Sequence, residues 1–327
     1  MYGNQAYLLR NRRGTTVVID ALGASIRGVE VADRWGRFSN IALCPEEPGD
    51  SYAGATLAPC AGRIRKGRLL IDGRAAQLSL NDGPNHLHGG GSLSFARWRG
   101  EARSTAEGEA CALSITARDG LDGYPGERRF EVIYALTEYD QLIIRMRAST
   151  DRATWVNMSN HVYWNLSGDF SGTVDEHRLR VGADHVYLND AAHLPIGRRP
   201  VAGTPFDFRE ERPIWGGGEG EDDEQLAAAR GYNHGFALNG APAATLTDPV
   251  SGRRLRLYTD YPALVLYSGG FLHEGIALSG GGRARQRCAL ALEPQTLPGS
   301  GAALLRPGEV RERIIRYAFD VDPPRER

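Results

Sequence analysis

Lysine is almost absent from this 327-residue sequence: of its 39 basic residues only Lys66 is a lysine. Schiff-base chemistry or a phosphate-cradling lysine would have to use that one position. The surrounding Arg-Lys-Gly-Arg is neither a P-loop nor an apolar pocket that would depress an amine pKa. A charge surplus is missing too, since 39 basic and 40 acidic residues leave a net charge of -1. Without an excess of Lys and Arg there is no basis for non-specific binding to nucleic acid or to an anionic membrane surface. The 4 cysteines, Cys44, Cys60, Cys111 and Cys288, are far apart. None forms C-x-x-C or lies two to four positions from a histidine, so buried free thiols in a reducing, cytoplasmic compartment are expected. Apolar runs such as Ala263 to Tyr267 are too short to span a bilayer, and the opening MYGNQAYLLRNRRG has no apolar core of a signal peptide, so no membrane role is expected. G-x-G-x-x-G, G-x-S-x-G, a Walker lysine and H-E-x-x-H are all missing, which argues against a nucleotide cofactor and against zincin-type metal chemistry.

What the chain does contain is turn chemistry and period-two alternation. Its 41 glycines and 17 prolines are spread along the sequence, and the segments between them alternate in hydrophobicity as strands do. Strands are expected at Thr15 to Asp20, Ala24 to Val31, Leu69 to Leu80, Cys111 to Ala117, Glu131 to Leu136, Gln141 to Ala148 and Val310 to Val321. Turns are expected at Asp72-Gly73, Asp119-Gly120, Asp122-Gly123 and Ser251-Gly252. Only Glu221 to Arg230, acidic at its start and followed by Gly231, reads as a helix. The stretch from Gly216 to Glu224 reads as an exposed loop and not as a linker. Many short strands with one or two helices predict an all-β protein, an antiparallel sandwich or barrel.

Four clusters carry more polar and aromatic residues than packing selects. In Asn81 to Gly90 (NDGPNHLHGG), His86 and His88 would share a face if the segment were extended. They are either the start of a metal site or part of a turn-rich loop whose histidines bond to backbone. In Val156 to Leu166 (VNMSNHVYWNL), strand alternation gives His161 the same face as Ser159 and Tyr163, which suits either a sugar site or a satisfied core histidine. Cys288 to Gln295 is an apolar strand ending on Glu293, and on this segment alone a rim carboxylate is the simpler reading than a tuned acid–base group. Gly231 to Phe236 (GYNHGF) follows the expected helix and means little alone.

Taken together and in this order, APCAGRIRKGRLLIDG, NDGPNHLHGG, NMSNHVYWNL, LPIGRRPVAGTPFDFR, GYNHGF and ALEPQTLPGS resemble the aldose 1-epimerase (galactose mutarotase) family from roughly Val18 to Phe319. The resemblance implies one large antiparallel β-sandwich domain over residues 1–327, of the galactose mutarotase-like supersandwich type. It implies an enzyme that interconverts the α and β anomers of a free monosaccharide with no cofactor and no metal, as a monomer or homodimer. His161 would be the general acid and Glu293 the general base, with Arg63, His88, Tyr163 and Asn233 binding the sugar. Such a pair should face one open pocket with reactive atoms roughly 5–8 Å apart, two hydrogen bonds plus the O1–C1–O5 edge. Three positions depart from the family pattern: Gly62 stands where an asparagine is usual, Asn233 where an aspartate is usual, and Val265 where a glutamine often occurs. Sugar specificity is therefore expected to differ. Competing expectations are a non-catalytic sugar-binding protein on the same scaffold, a hexose-6-phosphate 1-epimerase using Arg283, Arg285 and Arg287, and a metal-dependent isomerase using His86 and His88.

Overall fold

Strand-forming alternation in the sequence is realised as two large antiparallel sheets packed on a shared core. The structure is a computed structural model that describes residues 6–47, 50–215, 222–297 and 301–323. Nine strands form the larger sheet, in spatial order Arg99–Thr105, Gly108–Ala117, Arg128–Thr137, Gln141–Thr150, Val310–Val321, Arg253–Thr259, Ala244–Thr247, Arg178–Val181 and Arg212–Pro213. Six form the second, in the order Tyr163–Trp164, Leu290–Gln295, Ala263–Tyr267, Asn233–Leu238, Ala183–Asn189 and Pro195–Pro200. A four-stranded N-terminal sheet, Ala6–Arg10 through Phe38–Asn40, contributes Val17, Ile19 and Val29 to the same apolar core.

Alternation sorts the six-stranded sheet into two faces. Trp164, Leu264, Leu266, Leu290 and Leu292 turn into the core between the sheets, where Trp164 meets Tyr317 of the nine-stranded sheet edge-on at 4.9 Å. Their neighbours Tyr163, Tyr267 and Ala291 belong to a separate cluster on the opposite face. The core face fixes the register, because a slip of one residue would bury the polar face instead.

The expected strands are present with small shifts at their ends. Leu69 to Leu80 is a hairpin and not one strand: Arg68–Ile71 pairs with Arg74–Gln77 around Asp72-Gly73, and Leu78 and Leu80 lie beyond it. The helix spans Glu224–Ala229, shorter than the expected Glu221 to Arg230, and Glu221 lies outside the described residues, as does most of the 216–224 stretch. Asp223 accepts from the Gln225 and Leu226 amides at one end, and Arg230 adopts a left-handed conformation at the other. Among the described residues no helix is long and apolar enough to cross a membrane.

Candidate active site

The polar face of the six-stranded sheet is the floor of a cavity of about 450 Å³. Cross-strand register arranges this floor in rows. Tyr163, Ala291, Tyr267 and Asn233 are successive partners in one row, and Glu293, Val265 and Gly235 in the next. The facing wall comes from loops carrying Tyr52, Gly62, Arg63, Asp82 and His88, and the rim from Asn189, His193 and Phe271.

Glu293 sits inside its strand, 3% exposed, so the rim reading suggested by its own segment is overturned. The strand ends two residues later, at Gln295, and the carboxylate faces a cavity built by distant segments. His161 is equally buried, and its Nε2 lies 3.5 Å from Glu293 Oε1. This is shorter than the roughly 5–8 Å expected from adding two hydrogen bonds end to end. The sum assumed a linear approach. O1 and O5 share C1 and are only about 2.3 Å apart, so an acid and a base side by side can each reach one of them across a bond of about 2.8 Å.

Local structure explains how the two groups meet. Asn160 accepts from the Val162 amide and donates to Gly54 O at 2.9 Å, fixing the turn at His161. Asn157 Oδ1 accepts from the Thr296 amide at 2.7 Å, its Nδ2 donates to Thr296 O, and Ser159 Oγ donates to Pro294 O at 2.8 Å. The segment carrying the histidine is thus tied to the strand carrying the glutamate by residues of the same NMSN motif.

Burial sets the electrostatics. It pushes the Glu293 carboxyl up to about 8, against a partly compensating pull from the Arg63 guanidinium. It pushes His161 down to about 4. At neutral pH the pair therefore holds one proton, resting on the carboxyl. Glu293 Oε2 and His161 Nδ1 have no hydrogen-bond partner among the described residues. Each such group costs about 1–3 kcal/mol, which a polar ligand entering the cavity can recover.

The expected sugar-binding residues Arg63, His88, Tyr163 and Asn233 all line this cavity, as do the divergent positions Gly62 and Val265. Arg63 is oriented by Asp82, with Nε donating to Oδ2 at 2.8 Å. Tyr163 donates to Ser51 O and packs 4.8 Å from the His161 ring, and Tyr267 lies 5.9 Å from Tyr163, giving an aromatic end to the site. Asn233 is held through its carbonyl, which accepts from Asn189 Nδ2 at 2.7 Å.

His86 and His88 do not share a face. His88 has a φ of 48° and begins a tight turn that continues through Gly89 at φ 70°, where a Cβ would lie 2.1 Å from Ala58 O. The turn sends His88 into the cavity and leaves His86 behind it, with Nδ1 2.7 Å from Ser79 O and Nε2 2.9 Å from Tyr124 Oη. A metal site shared by these two histidines is thereby removed. The ligand-capable atoms of His88, His161 and Glu293 do lie within 4.8 Å of one another. The Gly62 amide, however, donates to His88 Nδ1 at 3.2 Å. Neutral His88 therefore carries its proton on Nε2, the reverse of a metal-binding histidine, whose second nitrogen donates outward. His88 is built as a hydrogen-bond donor.

The arginines expected at a phosphate are elsewhere. Arg287 is paired with Asp175 at 2.9 Å, and Arg283 and Arg285 line a different cavity. Sequence reasoning did not single out Tyr52, Asn189, His193 or Phe271, which reach the site from loops and strand ends with no distinguishing pattern, and it gave no role to Asp82 or Gln295, which lie inside the clusters it named.

Comparison with known proteins agrees with this architecture. The family model described as aldose 1-epimerase matches residues 5–318. Human galactose mutarotase is 33% identical over 321 residues, covering 93% of this chain and 91% of that protein. The aldose 1-epimerase of Escherichia coli K12 is 32% identical over 331 residues, covering 95% and 94%. The crystal structure of galactose 1-epimerase from Lactobacillus acidophilus superposes with a TM-score of 0.87 at 31% identity, covering 98% of this chain and 96% of that one. A sandwich of this topology is thus matched along nearly its whole length, and the chain belongs to the aldose 1-epimerase family.

Proposed function

We infer that this protein is an aldose 1-epimerase that opens and recloses the ring of a free aldose by acid–base catalysis. The observation that carries the reading is the buried His161–Glu293 pair, 3.5 Å apart at the floor of a sugar-sized cavity. Glu293 removes the proton from O1 while His161 protonates O5, so that the C1–O5 bond breaks and C1=O1 forms. Rotation about C1–C2 presents the other carbonyl face. O5 then attacks C1, returns its proton to His161, and O1 takes its proton back from Glu293. Atoms and charge balance over the cycle.

The starting state needs the shared proton on His161. A sugar O1–H donating to Glu293 favours the carboxylate, and O5 accepting from His161 favours the imidazolium. The substrate thus supplies the hydrogen bonds that shift the proton, and Arg63 beside Glu293 acts in the same direction. His88 Nε2–H and the Arg63 guanidinium donate to sugar hydroxyls, Asn233 offers both a donor and an acceptor, and Tyr163 and Tyr267 give the ring an apolar wall. A protein that only bound sugar would gain nothing from a buried acid and base across O1 and O5. A 6-phosphate would find no unpaired arginine cluster at this cavity among the described residues. The four cysteines are buried and free, which supports a reducing, cytoplasmic setting.

Polarimetry on freshly dissolved pure anomers, α-D-glucose and α-D-galactose first and then pentoses and 6-deoxy sugars, tests the reading. Accelerated mutarotation of at least one is expected. No acceleration of any would overturn it.

A further inference from the structure

The order of side chains across the cavity floor assigns a partner to one more carbon of the sugar. His161 lies two residues before Tyr163 of the strand Tyr163–Trp164, which flanks Leu290–Gln295 on one side, and Ala263–Tyr267 flanks it on the other. Across the floor the sequence of groups is therefore His161, Glu293, Val265, Gly235, the last three being direct cross-strand partners. In an aldose the corresponding order of atoms is O5, O1, O2. Resting on the assignment of His161 to O5 and Glu293 to O1, we propose that Val265 is a specificity-determining residue that lies under C2 of the substrate and itself offers the C2 hydroxyl no hydrogen bond.

The local chemistry carries this. In the strand Ala263–Tyr267 only Val265 is not fully buried, and it lines the cavity. Beyond it Gly235 offers no side chain, and the space a Cβ would take is closed by the Leu297 side chain, 3.0 Å away. The polar groups of this face, Asn233 and Gln295, lie two residues along the neighbouring strands from the partners of Val265, so a hydroxyl directly over Val265 meets methyl groups and gains no hydrogen bond from them in exchange for its water. A site of this kind discriminates weakly between a hydroxyl and a hydrogen, because it has no buried polar group left unpaired when the hydroxyl is missing. The substrate class it fits includes 2-deoxy aldoses alongside their parents.

Binding, not turnover, is the readout, since a C2 hydroxyl also changes intrinsic reactivity. Calorimetric Kd values of wild type for D-galactose and 2-deoxy-D-galactose, and for the glucose pair, are expected to agree within about fivefold. In Val265→Gln, which can reach the hydroxyl, the parent sugar should gain about fivefold or more over its 2-deoxy analogue, the worth of one neutral hydrogen bond. Val265→Thr, which keeps the side-chain shape, should move the ratio in the same direction if Val265→Gln does not fold. A wild-type preference for the hydroxylated sugar well above fivefold would assign that hydroxyl to a polar neighbour, Asn233 or Gln295 on the floor or Arg63 on the facing wall, and overturn the proposal. So would a ratio unmoved in both folded variants. Failure of the epimerase reading would appear separately, as absence of accelerated mutarotation with sugar binding intact.

Discussion

Replacing Glu293 by glutamine should move activity and stability in opposite directions, and the stability change should depend on pH. The carboxyl is held up to about 8 against an ordinary value of 4.5, chiefly by burial. Between those values the unfolded chain releases a proton that the folded protein keeps. Stability therefore falls as pH rises through this window, by about 1.4 kcal/mol per unit. The accumulated cost is about 1 kcal/mol at pH 5.5 and about 4 kcal/mol at pH 7.5. An amide of the same shape does not ionise and does not bear it. His161 acts with the opposite sign, because a histidine depressed from 6.5 to about 4 costs stability as pH falls through that range. It does so in both proteins and largely cancels in the difference.

Urea unfolding of wild type and Glu293→Gln at pH 5.5, 6.5 and 7.5 measures the gap, which should widen in favour of the variant as pH rises. Mutarotation by the same variant should fall by about 10²–10⁴, since the amide offers a hydrogen-bonding oxygen but accepts no proton. A stability gap that stays constant over this range would mean that Glu293 is ionised in the folded protein, and the reasoning would be refuted.

The rate profile follows from the same proton count. kcat/KM of the free enzyme should be bell-shaped with limbs near 4 and 8, because the pair has two protons below this window and none above it, and a flat profile from pH 4 to 9 would contradict catalysis by this pair. His88→Asn should raise KM several-fold, whereas His86→Asn should leave KM unchanged and lower the thermal midpoint through lost bonds to Ser79 O and Tyr124 Oη. Equal kinetic losses at both positions, restored by added Zn²⁺, would revive the metal reading. Asn157→Ala should lower kcat by tenfold or more with a smaller change in KM, because it unties the strand bearing Glu293 from the segment bearing His161, and a pure KM effect would count against that positioning role.

The strands were legible because one face of each is buried in a single core, so that alternation and Asp-Gly turns report the fold directly. Val310–Val321 and Gln141–Thr150 are examples, each identified within two residues. The site was legible in its residue types and less so in its geometry. Glu293 looked like a rim residue because the residues before it in its strand are apolar, and nothing local shows that Glu293 faces a cavity while Leu290 and Leu292 face a core. His86 and His88 were placed on one face by strand periodicity, which a positive φ at His88 breaks. Tyr52, His193 and Phe271 reach the cavity from loops, whose paths depend on long-range packing and leave no periodic trace.

The asparagines of NMSN bear on how the proposed catalytic pair, so distant in sequence, is held together. A helix or strand segment alone orients a side chain only as well as its own packing allows. Here the histidine's segment donates to and accepts from the backbone at Pro294 and Thr296, the first next to Glu293 and the second just past the end of its strand. These bonds oppose any shift of the strand bearing Glu293 relative to the segment bearing His161, and so favour the 3.5 Å separation. Among the described residues His161 Nδ1 and Glu293 Oε2 have no hydrogen-bond partner from another residue, in a site from which burial has removed most competing solvent. The unmet bond at Glu293 Oε2 favours a hydroxylated ring over an apolar one as occupant, and under the proposed assignment it lies where a proton leaves O1.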